Sequence, residues 1–376
     1  MKYRAIVTLL CVSIFSGAIC LAADPAPSSQ PSKIDLFPRD TGGYAVCRIP
    51  GLIVSTKGTL LAYCEARRAP GGDWSHIDDM LRRSTDGGKT WDGPTLLAGE
   101  SKATVNNPVM IPDAQTGAIH FLHCVDYARC YYSRSDDDGK TFSKEVEITA
   151  TFEPFHKDFA WTVFATGPGH GIQLKNGRLV VPVWLAEQHS HRPSVTASIY
   201  SDDHGKTWLA GEIIPGKETI PNMNETTAVQ LDDGRVMFNI RNVAAKSLRA
   251  ISISPDGASG WSFPAFDEAL YEPVCFASIL GVHANGKFHL IFSNPDSRDG
   301  AKTGQRGQRR NLTIRQSDDA GKTWSHARVL DVGPAAYSDL AAGPDGEIYC
   351  LYERGTKVQA LTFVKFPLAW VSAGSK

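Results

Sequence analysis

The stretch Gly58-Thr-Leu-Leu-Ala-Tyr-Cys-Glu65 sets the pattern of the chain: a glycine opens an apolar run with strand-like alternation. The pattern returns at Gly117, Gly177, Gly234, Gly286 and Gly346, at spacings of 52 to 60 residues. Period-two alternation reads as strands, and recurrence at a fixed longer period reads as a radial or solenoid array. Six copies predict an all-β fold, a six-bladed β-propeller whose loops gather at two rims. Any chemistry then sits at one mouth of the ring, assembled from several blades.

A second repeat interleaves with the first. Ser-x-Asp-x-Gly-Lys-Thr followed by Trp or Phe occurs at 84–91, 135–142, 201–208 and 317–324, with a degenerate copy at 254–261. Glycine suits a turn with positive φ, and Ser and Asp bond nearby backbone amides. The closing aromatic can bury between neighbouring sheets. Asp86, Asp137, Asp203, Asp256 and Asp319 are therefore read as turn residues, not as calcium ligands or catalytic carboxylates, because they recur once per blade.

Composition sets the outer bounds. Lys2 and Arg4 precede an apolar stretch from Ala5 to Ala22, and a Pro/Ser-rich run follows to Ser32. This reads as a secretory signal peptide over 1–23 and a linker over 24–33, with the globular domain at 34–376. The chain is thus expected to be secreted or periplasmic, a lipoprotein acylated at Cys20 being disfavoured by Ile19. No other segment is long and apolar enough to span a bilayer. A net charge of -1 over 376 residues gives no sign of a nucleic-acid partner. Six cysteines follow the leader, with Cys124 and Cys130 the first pair to test for a disulfide. No spacing resembles a metal site, and His189 and His191 read as a solvated loop. Neither metal nor organic cofactor is expected.

Charges end some of the apolar runs. Seven residues after the repeated glycine stand Glu65, Arg241 and Glu353, with Arg67 two further on from Glu65. Equivalent positions in a propeller lie at equivalent heights about the axis, so these charges are expected to converge.

With Arg48-Ile49-Pro50 upstream and the four full Asp-boxes downstream, the chain resembles the bacterial exo-α-sialidases, or neuraminidases, over nearly its whole mature length. The resemblance implies three arginines that grip the carboxylate of sialic acid: Arg48, Arg241 and Arg309, with the adjacent Arg310 an alternative for the third. A guanidinium fork stays charged and holds a carboxylate bidentately. Tyr337 matches the family's nucleophile and Glu225 the carboxylate that takes its proton. Most glycosidases use a carboxylate nucleophile, and tyrosine sialidases are a known exception. The anomeric carbon of sialic acid already bears a carboxylate, so a neutral phenol avoids the repulsion an anion would meet.

Asp73, in the Gly71-Gly72-Asp73-Trp74 loop, matches the acid/base that protonates the leaving oxygen and then activates water. Arg67 resembles a position near the sugar's C4, and Glu353 the carboxylate that orients Arg48. Asn107 stands where many bacterial members carry Asp, which bears on substituent preference at C4 or C5. His170 is expected to border the substrate. Asn224 and Asn311 open Asn-x-Thr triplets read as chance matches.

The resemblance thus implies a retaining hydrolase of terminal sialic acids on glycans, glycoproteins or gangliosides, acting as a monomer without membrane insertion. Its alternatives are a transglycosylating or intramolecular enzyme and a non-catalytic sialoglycan-binding propeller.

Overall fold

The computed structural model describes Met1 and residues 30–99, 102–298 and 307–374. The expected leader, the lipid-anchor position Cys20 and most of the linker lie outside the described residues. The chain is an all-β propeller, its strands arranged in five hydrogen-bonded sheets. Four of these hold four or five strands each, led in sequence by Val46–Val54, Val105–Pro112, Val163–Thr166 and Thr226–Gln230. The fifth holds seven strands, where the repeat predicts two separate blades.

The reason is the 17-residue strand His326–Ala342. Its first half pairs with Arg310–Ser317 and its second half with Glu347–Arg354, so hydrogen bonding runs unbroken from one repeat to the next. The same sheet closes the ring: the early strand Lys33–Pro38 adds antiparallel to Ala360–Pro367, near the end of the chain.

The six repeated glycines all take positive φ, between 74° and 97°, at hairpin turns. That conformation is cheap only without a Cβ, which explains the glycine at each period. Apolar layers fill the spaces between sheets. Leu61 and Tyr63 pack with Ile119 and Phe121, for example, and Val180 packs with Val236 and Phe238. Within the seven-stranded sheet another layer joins Ile291 and Ile314 to Ile348 and Val364.

The Asp-boxes are turn devices, as their recurrence predicts. In the four full copies the Thr hydroxyl donates to the Asp carboxylate at 2.6–2.7 Å and the Gly amide donates to the Ser hydroxyl at 2.8–2.9 Å. The box aromatics Trp91, Trp208 and Trp324 pack into the layers between sheets.

The six cysteines at 47, 64, 124, 130, 275 and 350 are buried free thiols. Cys124 and Cys130 face each other directly across a strand pair, yet remain unbridged and serve as small apolar core residues. Among the described residues no helix is long and apolar enough to cross a membrane.

Candidate active site

The inner strands kink where they reach one mouth of the ring. In Val46–Val54 the register slips between Arg48 and Gly51, and Ile49 sits at φ 56° ahead of Pro50. The next sheet repeats the device between Asn106 and Val109, with Asn107 at φ 54° ahead of Pro108. A proline cannot continue the ladder, and a bulge re-aims the side chains beside it. A β-branched residue in the left-handed region is strained, as at many functional sites. Both kinks present side chains to a single cavity of about 500 Å³.

The catalytic and binding residues expected from the sequence line this cavity, except Glu353, which stands behind Arg48, and His170, which faces elsewhere. The Tyr337 hydroxyl lies 2.7 Å from Glu225 Oε1 and 2.8 Å from Oε2. Arg241 Nη1 donates to the same hydroxyl at 2.6 Å and also to Glu225. The guanidinium carbons of Arg309, Arg48 and Arg241 lie 5.1, 5.5 and 5.9 Å from the centre of the Tyr337 ring. Burial pushes the phenol well above its ordinary pKa, with Arg241 opposing the shift and Glu225 reinforcing it. The phenol is therefore neutral until a base takes its proton.

Glu353 is fully buried and organises the floor. It accepts from Arg48 Nε at 3.0 Å and Nη2 at 3.1 Å, and from the Ile49 amide at 3.1 Å. The strained Ile49 backbone and the Arg48 fork are thus held by one carboxylate. Arg309 differs: its guanidinium donates to the Val274 carbonyl at 2.6 Å and forms no ion pair among the described residues. Arg309 lines the cavity and Arg310 does not.

On the opposite wall Arg67 donates to Glu65 at 2.7 Å and to Asp73 at 2.9 Å. Glu65 also accepts from the Asn107 amide at 2.9 Å. Burial raises the Asp73 carboxyl, but the charge and hydrogen bond of Arg67, joined by His191 and Arg48, together outweigh it and leave the group below its ordinary value. Asn224 is buried, its side-chain oxygen accepting the Glu225 amide, which fits the reading of its triplet as a chance match.

Two expectations are corrected. His170 does not border this cavity: its ring pairs with the buried Asp339 at 2.8 Å, because the segment after Pro168 turns inward along Val105–Pro112. The solvated-loop reading holds for His189, which is exposed in the 187–193 loop, but not for His191, which is half-buried among Trp74, Tyr127 and Trp184; both border the cavity. Sequence reasoning missed this aromatic wall. Only Trp184 carried a signal, standing at the position equivalent to Glu65 and Arg241. Among the described residues no cluster of His, Cys, Asp or Glu could hold a metal ion.

The site is thus a phenol–carboxylate pair ringed by three guanidiniums at one mouth of a propeller. The BNR repeat-like domain family matches residues 58–350. A sialidase of Micromonospora viridifaciens is 31% identical over 98% of this chain and 60% of its own length. A sialidase of Bacteroides fragilis is 34% identical over 85% of this chain and 61% of its own. The solved structure of the Hadza microbial sialidase Hz136 superposes with a TM-score of 0.79 at 27% identity, covering 90% of this chain and 69% of that one. The chain belongs to the BNR repeat-like domain family. It spans about 60% of the length of those two curated relatives.

Proposed function

We propose that the protein is an exo-α-sialidase that hydrolyses terminal sialic acid from sialylated glycans, glycoproteins or gangliosides with retention of configuration. The observation that carries this reading is the Tyr337 hydroxyl, 2.7 Å from Glu225 beneath three guanidiniums. The charge balance supports it. Arg48, Arg67, Arg192, Arg241 and Arg309 face Glu65, Asp73, Glu225 and the buried Glu353, which leaves one cation in excess. A monoanionic sugar neutralises that excess, whereas a neutral sugar leaves it uncompensated; Arg192 itself stands exposed at the mouth.

In this reading Arg48, Arg241 and Arg309 bind the sugar carboxylate. Tyr337 attacks the anomeric carbon as its proton passes to Glu225, so charge develops on the phenol oxygen only as the new bond forms. Asp73 protonates the departing oxygen and then takes a proton from the water that releases the sugar. The bound carboxylate offsets the field of Arg48 and Arg67 and desolvates Asp73. Both effects raise its pKa toward that of a working acid. Arg67 and Asn107 lie on the wall assigned to the sugar's C4 and C5 substituents.

The seven-stranded sheet is read as two blades sharing His326–Ala342, giving six blades in all. The apolar layer between its two halves supports this, since such layers elsewhere separate neighbouring blades. The basic-then-apolar start of the chain supports export to the periplasm or exterior. The protein is read as a monomer.

The test is a fluorogenic aryl α-sialoside, with the released anomer followed by NMR. Release of the α-anomer first is expected. Tyr337→Phe should abolish turnover yet still bind the dehydrated sialic-acid analogue. Unchanged turnover by that variant, or first release of the β-anomer, refutes the nucleophile.

A further inference from the structure

The loop carrying Asp73 does not stand alone over the cavity. It meets the 187–193 loop, two sheets away, through His191. The Asp73 carboxylate uses its two oxygens differently. Oδ1 accepts from Arg67 at 2.9 Å, while Oδ2 faces His191 Nδ1 at 3.8 Å. The imidazole is fixed by its surroundings: Trp74 stacks on it at 5.8 Å and 25°, Tyr127 lies at 5.1 Å, and Trp184 meets it edge-on at 5.3 Å and 77°. Its Nε2 is buried and has no partner among the described residues.

We propose that His191 is a positioning residue for Asp73: clamped in the aromatic wall, its Nδ1 holds the second carboxyl oxygen so that the acid proton faces the departing glycosidic oxygen. The inference rests on the sialidase reading. In the step concerned the Asp73 O–H bond breaks and its proton goes to the glycosidic oxygen. The bond from that oxygen to the anomeric carbon breaks with its electron pair staying on oxygen, while the Tyr337 oxygen bonds to carbon.

A gap of 3.8 Å is longer than a hydrogen bond, but such contacts tighten when substrate closes the site. Asp73 is 41% exposed at its side chain and free to turn that far. The charged groups facing the pair are Arg67, Arg48 and Glu65 around Asp73, and Glu225, Arg241 and Arg192 around His191. Burial holds the imidazole below its ordinary pKa, so it adds no second cation beside Asp73 that would forbid protonation.

Two variants and two substrates test this. His191→Phe keeps a packed ring and removes the nitrogen; His191→Asn keeps a polar atom near the Nδ1 position and removes the ring. Sialyllactose needs its leaving oxygen protonated, whereas 4-nitrophenyl sialoside hardly does. For His191→Phe, kcat/KM on sialyllactose should fall roughly 10- to 100-fold. On the nitrophenyl sialoside it should fall less than about threefold. His191→Asn should recover part of the sialyllactose rate. Melting temperature and affinity for the dehydrated analogue report whether each variant is folded, and the Asn variant decides if the Phe variant is not. Equal losses on both substrates overturn the inference and leave the sialidase reading standing. A wild-type protein that cleaves neither substrate overturns both.

Discussion

Arg309 separates binding from stability in a way Arg48 does not. Replacing Arg309 with Met keeps the bulk of the side chain and breaks no ion pair among the described residues, where its guanidinium donates only to the Val274 carbonyl. It also removes a cation that sits near Arg241. The fold should therefore lose less than about 1 kcal/mol, the worth of one ordinary hydrogen bond. The anion loses a charge-assisted hydrogen bond worth about 1.5–3 kcal/mol, so the dehydrated sialic-acid analogue should bind roughly 10- to 100-fold more weakly. Arg48→Met does both kinds of damage. It strands the Glu353 carboxylate, which is 0% exposed at its side chain, although Arg48 itself is 22% exposed. Breaking a buried pair costs about 3–5 kcal/mol, and the exposure of Arg48 places this case near 3. Thermal melting should then fall by roughly 5 °C or more. Titration calorimetry with the analogue and thermal melts of the two variants give both quantities. A thermally neutral Arg48→Met, or an Arg309→Met variant with wild-type affinity, refutes the division of labour described for these arginines.

Two further outcomes follow from carboxyl groups whose pKa values are displaced. Arg67→Gln removes the charge that holds Asp73 down, so burial takes over and its pKa rises; the high-pH limb of kcat/KM on sialyllactose should move to higher pH, and a limb that stays put or moves down counts against Asp73 as the acid. Asp79 is fully buried with both carboxyl oxygens unpartnered, and burial raises its pKa well above the ordinary value. The folded chain keeps that proton while the unfolded chain releases it above about pH 4, so native stability falls by up to about 1.4 kcal/mol per pH unit over that window. Asp79→Asn should match wild type near pH 4 and exceed it at pH 7 in denaturant melts; parallel stability profiles would falsify this.

The parts of the fold that repeat were legible, because turns with positive φ demand glycine and each Asp-box demands the same few side chains. Glu65, Arg241 and Glu353 were reachable from position, since equivalent strand ends converge on one mouth, whereas Arg48 and Tyr337 were reached only through the family resemblance. The aromatic wall was not. Trp74, Tyr127, Trp184 and His191 come from three sheets and their loops, and nothing periodic links them. His170 misled because its glycine-rich setting resembles a pocket lining, whereas the buried Asp339 draws its ring inward. The merging of two repeats into one sheet was hidden for a different reason. Gly333-Pro334 reads as a break, yet the strand passes through it, with register slips absorbing the irregularity.

The pairing of Lys33–Pro38 with Ala360–Pro367 makes ring closure a late event. On the ribosome Lys33–Pro38 finds its neighbour only once Ala360–Pro367 has been made. That is a contact of very high sequence separation, with the slow closure such contacts bring. Unless Lys33–Pro38 is in place, Ala360–Pro367 is an open edge able to accept a foreign strand. Everything from Lys33 to Pro367 must therefore be present before the ring can close. A cut after residue 38 should leave all of the site residues present but the ring unlatched, with aggregation along that edge as its characteristic fate.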